Sequence, residues 1–401
     1  MKTVLLIGIE GVHNYGCEAI VRGTVAILRS AWPSLRILYA SRRPEDDARR
    51  LAGCEVSVVP RLRLGRHSPV NLVRKALRLA GIRWQPSQDS LRMLDGVDAV
   101  FSIGGDMYTL GPGERLNASL PRFAEAAVTR GIPAVLWGAS VGPFRDHPQA
   151  ERFYRRHLGR LSLITAREGD TVAYLGSLGV SSNVVRCGDP AYAVAPETVA
   201  REGARRGSTP TVAVNLSPLS VRHAGQTPEE VIVTQAAALQ AIMDEHRVRL
   251  VLVPHVVSPH LDRDDDVAHL QRVRQAMTPR HRDGVDLVAD DPGFLGVKRV
   301  LAGCDVVLAA RMHCAINAMA AHVPTMLLSY SQKALGMCEY VYGHRRWVAP
   351  VDGLGSSSFL DTLGELISAR TDVGAALSRR MPEIRADAHA PLKRLGEILK
   401  C

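Results

Sequence analysis

The chain has 401 residues, 46% of them apolar and 22% charged, with 50 Lys and Arg against 40 Asp and Glu. That length suits two or three domains with sizeable cores, and the ordinary apolar fraction excludes wholesale disorder. The formal charge of +10 admits acidic substrates or an anionic membrane surface, but no aromatic residue interleaves with the densest basic run, Arg61 to Arg83, so a nucleic-acid groove is poorly supported.

Seven cysteines, an odd number at wide spacing and without a CxxC, argue against a disulfide framework and a zinc site and for a reducing compartment. The opening MKTVLLIGIEGVHNYG has an apolar run too short for a signal-peptide core or a membrane span. No later run reaches spanning length. The expectation is a cytoplasmic protein, with peripheral membrane contact left open.

In chain order, Thr3 to Ile9 reads as a buried strand, Glu10 to Gly16 as a loop with two glycines, and Cys17 to Ser30 as a helix. A strand, Gly-loop and helix presents backbone N–H groups to an anion, although GxGxxG and the Walker pattern are missing. Asn14 and Glu18 are the polar candidates there. Strands follow at Arg36 to Ala40, Glu55 to Val59 and Val97 to Ile103, the last ending in Gly104, Gly105 and Asp106. Two glycines at a strand end allow close backbone approach to a ligand. Asp106 suits a sugar hydroxyl and equally a turn cap. Between these strands, Val70 to Leu79 reads as an amphipathic helix with a basic face, either a solvated helix or a surface for a lipid-linked or phosphorylated acceptor.

The same alternation continues through strands at Pro133 to Trp137, Leu161 to Ala166 and Val184 to Arg186. Residues 194–210 shift to Glu, Arg, Gly, Ser and Pro and read as a linker. A second sheet then starts at Thr211. Arg222 and His223 lie in the polar loop after its first strand, and His255 follows the strand from Arg249 to Val253. Asp262, Asp264, Asp265 and Asp266 could bind a divalent metal, but they precede a helix and more simply stabilise its N-terminus. Repeated strand, turn and helix units predict an open, mostly parallel α/β sheet in each half.

The segment VVLAARMHCAINAMAAHVPTMLLSYSQK, Val306 to Lys333, reads as the functional centre. Val306 to Ala309 is a buried strand, Cys314 to His322 a helix with His322 in its last turn, and Thr325 to Tyr330 a second strand. Arg311 and His313 fall at the carboxyl end of the first strand, which faces the ligand crevice in an open parallel sheet. Arg grips a phosphate or carboxylate with two parallel bonds, His passes protons near neutral pH, and a helix N-terminus favours an anion. An Arg paired to a core carboxylate and a capping His is the plainer alternative, and the strand-end placement in a βαβ unit favours the functional reading over it.

Arg311-Met312-His313, the Ala-rich helix, Val323-Pro324, Tyr330 and Lys333 resemble the carboxyl-terminal signature of the polysaccharide pyruvyl transferase family. Gly11 to Ile20 is similar to its opening motif, although many members carry an acid where this chain has Cys17. Ser102 to Asp106, Ala166-Arg167-Glu168 and Gly188 to Ala191 resemble its middle landmarks, so the likeness runs from about Lys2 to Met337. It implies two doubly wound Rossmann-like domains facing across a cleft, as in the glycosyltransferase B-type architecture. The expected division is 1–195 on the acceptor side, a linker at 196–210, 211–375 on the phosphoenolpyruvate side, and a C-terminal helix at 376–401. It further implies transfer of a pyruvyl group from phosphoenolpyruvate to a sugar, forming a cyclic ketal without metal or organic cofactor. Arg311, His313 and Lys333 carry over from the motif. Arg222, as a second cation, and His255, as an acid or base, rest on strand-end placement alone. A sugar-nucleotide glycosyltransferase and a repurposed relative acting on a non-polysaccharide small molecule are the alternatives.

Overall fold

The computed structural model describes residues 1–111, 114–144, 146–194, 209–218, 226–258, 265–329 and 333–400. Residues 1–12, 20–193 and 386–401 form one compact unit, and residues 13–19 with 194–385 form a second. The opening motif, placed with the first domain by chain order, thus packs with the second unit. Most of the expected linker lies outside the described residues.

The first unit is built on seven strands: β1 (Thr3–Ile7), β2 (Arg36–Ser41), β3 (Ser57–Pro60), β4 (Ala99–Ile103), β5 (Ala134–Ala139), β6 (Leu163–Ala166) and β7 (Val184–Arg186). They pair in the order β3-β2-β1-β4-β5-β6-β7, all parallel. Central strands such as β1 and β4 are buried at every residue, because helices cover both faces and alternation is no longer required. Its helices are α1 (Tyr15–Ala31, whose first turn belongs to the second unit), α2 (Pro44–Arg50), α3 (Pro69–Leu79), α4 (Ser119–Thr129), α5 (Pro148–Leu158) and α6 (Gly169–Ser177). Phe123, Phe144, Tyr154 and Leu158 fill the core between α4, α5 and the sheet.

The second unit has six strands: β8 (Thr211–Asn215), β9 (Arg249–Leu252), β10 (Val285–Leu287), β11 (Val306–Ala309), β12 (Thr325–Ser329) and β13 (Val348–Pro350). Their order is β10-β9-β8-β11-β12-β13, again all parallel. The helices are α7 (Pro228–His246), α8 (Asp266–Ala276), α9 (Pro279–Arg282), α10 (Gly293–Ala302), α11 (Met312–Ala320), α12 (Lys333–Tyr342), α13 (Ser357–Ser368) and α14 (Arg370–His389), whose last residues, with the final helix α15 (Leu392–Leu399), belong to the first unit.

Two expectations are corrected. His322 is not in the last turn of α11: the helix ends at Ala320, and His322 takes a left-handed φ of 62° beyond it, the conformation that commonly closes a helix. The long terminal helix is two helices, α14 and α15, because Pro391 interrupts the run. Among the described residues no helix is long and apolar enough to cross a membrane.

Candidate active site

In the second unit the strand order reverses between β8 and β11, and a parallel sheet opens a crevice at the carboxyl ends of such a pair. Asn215 closes β8, and Arg311 follows β11. The Asn215 side-chain oxygen accepts from the Arg311 backbone N–H at 3.0 Å, and its amide donates to the Val253 carbonyl at 3.0 Å. One side chain thereby fixes the ends of three adjacent strands.

Asp266, in the first turn of α8, is the buried centre of this edge. Its carboxylate accepts from the Arg311 guanidinium at 3.0 Å (Nε) and 2.7 Å (Nη2), a bidentate grip. It also accepts from the backbone N–H groups of His255 (2.9 Å) and Val256 (3.0 Å). Asp265, next to it, caps the helix through the Val267 N–H. The two described carboxylates of the Asp-rich segment therefore hold structure, and Asp262 and Asp264 lie outside the described residues. Among the described residues no group of three His, Cys, Asp or Glu could hold a metal ion.

The opening motif joins this edge. Asn14 bridges to Val256, the Val257 N–H donates to the His13 carbonyl at 3.1 Å, and the Tyr15 N–H donates to the His255 carbonyl at 3.0 Å. Asn14 also caps α1 by accepting from the Gly16 N–H at 2.9 Å. Gly16 is glycine for space: a Cβ there would lie 2.7 to 2.9 Å from the His313 side chain. Tyr15 stands edge-on to the His255 ring at 5.7 Å and donates its hydroxyl proton to Asp291 at 2.5 Å. Glu18 is buried, and its carboxylate accepts from the Phe294 N–H at the start of α10, a favourable place for negative charge.

His255 is wholly buried, and neither ring nitrogen has a hydrogen-bond partner among the described residues. Burial, helped by His313 and Arg311 nearby, holds its pKa well below the usual imidazole range, so the ring is neutral at pH 7. His313 sits half-buried in the first turn of α11. Cys314 beside it is fully buried, which pushes its thiol far up and leaves it inert. Lys333 begins α12, at the same sheet edge one strand further on. Arg222 lies outside the described residues.

Gly104, Gly105 and Asp106 are not part of this cluster; they belong to a second one, in the first unit. Gly104 has φ of 132°, and a Cβ on Gly105 would meet the Arg167 guanidinium at 2.7 Å. Arg167, following β6, is buried among carboxylates: Asp189 at 2.7 Å, Asp106 at 3.4 Å and Glu168 at 3.5 Å. Ser140, beyond β5, accepts from Arg167 Nε and donates to Glu168. Burial opposes the Arg167 charge, but these carboxylates raise its pKa above the usual value.

The sequence pointed to Arg311, His313, His255, Asn14 and Glu18 and missed Asp266, Asn215, Tyr15 and Asp291 as members of the same edge. Tyr15 was visible beside Asn14. Asp266 was read with its acidic neighbours as a helix-end charge, and only the fold turns it inward. Asn215 carried no motif at all.

The chain is 22% identical over 415 residues, 95% of this chain and 96% of the relative, to the amylovoran biosynthesis protein AmsJ of Erwinia amylovora. Among solved structures, UDP-GlcNAc 2-epimerase from Neisseria meningitidis superposes with a TM-score of 0.63 at 12% identity over 100% of both chains. Anabaena HepE, in complex with UDP and glucose, superposes with a TM-score of 0.59 at 13% identity over 98% of this chain and 99% of that one. At such identity these structures share the fold: two parallel-sheet α/β domains of the glycosyltransferase B type. The profile described as Polysaccharide pyruvyl transferase matches residues 14–332, from Asn14 of the opening motif through Asp106, Arg167, Asp189, Asp266, Arg311 and His313, and the chain belongs to that family of transferases.

Proposed function

We propose that this protein transfers a pyruvyl group from phosphoenolpyruvate to a saccharide acceptor in the cytoplasm, closing a cyclic ketal and releasing inorganic phosphate. The observation that carries the reading is the Arg311–Asp266 pair at the switch point, with His313 in the adjoining first turn of α11. A small dianionic donor needs a rigid guanidinium, a second cation and a helix N-terminus, and an arginine already fixed by a buried carboxylate meets its ligand without reorganising. Lys333 supplies further charge, and Arg222 is the second cation that the sequence suggests.

In the chemistry proposed, His313 protonates the methylene carbon of phosphoenolpyruvate, leaving a cation at the enol carbon. One sugar hydroxyl adds there and returns a proton to His313. The bond between that carbon and the phosphate oxygen breaks, and a neighbouring hydroxyl adds to the same carbon and gives its proton to the departing phosphate, so both ketal oxygens come from the acceptor and phosphate leaves onto the cations. No metal or organic cofactor enters this scheme. His255 is assigned a positioning role: neutral and wholly buried, it cannot supply a proton at neutral pH. Asn14 and Glu18 hold the opening helix against the site. Gly104, Gly105 and Asp106, in an edge rich in carboxylates, suit the hydroxyls of the acceptor.

Calorimetry with phosphoenolpyruvate, followed by a phosphate-release assay against candidate saccharides, tests the reading. Micromolar binding that Arg311→Lys weakens, with the circular dichroism spectrum unchanged, is expected. A nucleoside diphosphate sugar that binds while phosphoenolpyruvate does not would overturn it.

A further inference from the structure

The segment from Arg61 to Gln88 holds seven Lys and Arg and no Asp or Glu. Arg61 is committed to the fold by a bidentate pair with Asp89. Arg66, Arg74, Lys75, Arg78 and Arg83 make no ion pair among the described residues. They line a groove of about 670 Å³ together with Arg115, and this groove shares Arg83, Trp84 and Arg115 with an adjoining one of about 770 Å³.

The same segment exposes apolar side chains. Helix α3 is anchored at its start, where Ser68 caps it and the Asn71 side chain donates to the Gly65 carbonyl at 2.9 Å. From residue 72 to 85 every side chain except Leu77 is exposed. Leu72, Val73, Leu79, Ile82 and Trp84 are 53, 50, 83, 54 and 40% accessible. At 100° per residue Leu72, Ala76 and Leu79 share one side of α3, Arg74 and Arg78 lie opposite, and Lys75 sits at the boundary. A helix of this kind gains little from the body of its own unit. Its pattern satisfies a boundary with anionic headgroups on one side and acyl chains on the other.

We propose that residues 62–84 dock this protein on an anionic lipid bilayer, with α3 lying in the plane of the headgroups. Leu72, Leu79, Ile82 and Trp84 enter the acyl boundary, while Arg74, Lys75, Arg78 and Arg83 reach the phosphates with their long side chains. The unpaired charge favours anionic over zwitterionic lipid. The exposed aliphatic side chains favour a membrane over a nucleic acid, whose grooves offer them nothing to bury against. This inference does not depend on the reaction proposed above.

The test is sedimentation of the full-length protein with vesicles of phosphatidylcholine alone or mixed with phosphatidylglycerol, at low and high salt. Binding only to the mixed vesicles, weakened by salt, is expected. Each basic residue near such a surface contributes about fivefold, so Arg74→Glu with Lys75→Glu and Arg78→Glu should weaken binding by roughly 100-fold or more. Leu72→Ser with Leu79→Ser should weaken it at least about tenfold, with helical content unchanged by circular dichroism. No partition onto anionic vesicles, or partition that neither variant alters, would overturn the proposal. So would capture of an RNA or an acidic peptide through these residues by a protein indifferent to vesicles.

Discussion

The two units carry the same device in different surroundings. Each places an arginine just past a strand of a doubly wound sheet and locks it with a buried aspartate at 2.7 Å: Arg167 with Asp189, Arg311 with Asp266. Around Arg167 stand three carboxylates, those of Asp106, Glu168 and Asp189, for one positive charge. Arg311 is gripped by Asp266, and the same edge holds Glu18 and Asp291, bound by the start of α10 and by Tyr15, together with Lys333 and two histidines. The first edge suits neutral, hydroxyl-bearing groups. The second suits an anion. An arginine at a strand end therefore does not by itself mark an anion site; the carboxylates that face it matter as well.

The largest effect should come from breaking this symmetry at Arg311. Arg311→Lys keeps the charge but gives up the bidentate fork, and phosphate release should fall roughly 100-fold or more with the melting temperature little changed. Asp266→Asn removes the buried carboxylate that grips the part-buried Arg311, and should cost about 3 kcal/mol of stability in denaturant titration as well as activity. At the first edge the expected outcome reverses in kind. Arg167→Met strands three carboxylates together, so thermal melting should drop by roughly 10 °C, while affinity for phosphoenolpyruvate should hold in whatever fraction stays folded. Equal loss of donor affinity in both variants would erase the distinction drawn here.

A finer comparison uses the two glycines that make room for these sites. Gly16→Ala would press on the His313 ring and Gly105→Ala on the Arg167 guanidinium, each at about 2.7 Å. The first should lower turnover more than donor affinity, because it moves the proposed acid. The second should act on acceptor KM. Steady-state kinetics with each substrate varied in turn separates the two.

Much of this was legible because its cause is local. β1, β4 and β11 are apolar at nearly every position, which a parallel sheet covered on both faces demands, and Arg311 and His313 follow such a strand directly. What was not legible depends on register across the sheet. Asn215 matters because Ala309 pairs with it, bringing the Arg311 N–H to its side chain. Nothing in residues 211–215 announces that pairing. Nor could the sequence show that residues 13–19 leave the first unit for the second, since the bridge from Asn14 to Val256 spans most of the chain. Strand order supplied what residue spacing could not.

Acid should sharpen the contrast from another direction. The second edge buries His255 and, behind it, His269, whose Nε2 lies 2.8 Å from Gln235. Burial holds both rings neutral, His255 well below 6.5 and His269 down to about 4. As pH falls below about 6.5 the unfolded chain therefore takes up protons that the folded chain refuses, and stability decreases. For His269 that loss runs from about 6.5 down to about 4 and levels off below; above 6.5 neither ring contributes to the slope. His269→Gln keeps a polar group beside Gln235 and has nothing to protonate, so urea midpoints measured from pH 7 to pH 4 should fall less steeply for the variant than for the native chain. The first unit buries a histidine too, His157, whose pKa burial also lowers, but Glu125 stands beside it at 3.4 Å and opposes the shift. If the slope persists unchanged in His269→Gln and vanishes in His157→Gln, the acid-sensitive histidine belongs to the first unit, and the contrast drawn with the second unit fails.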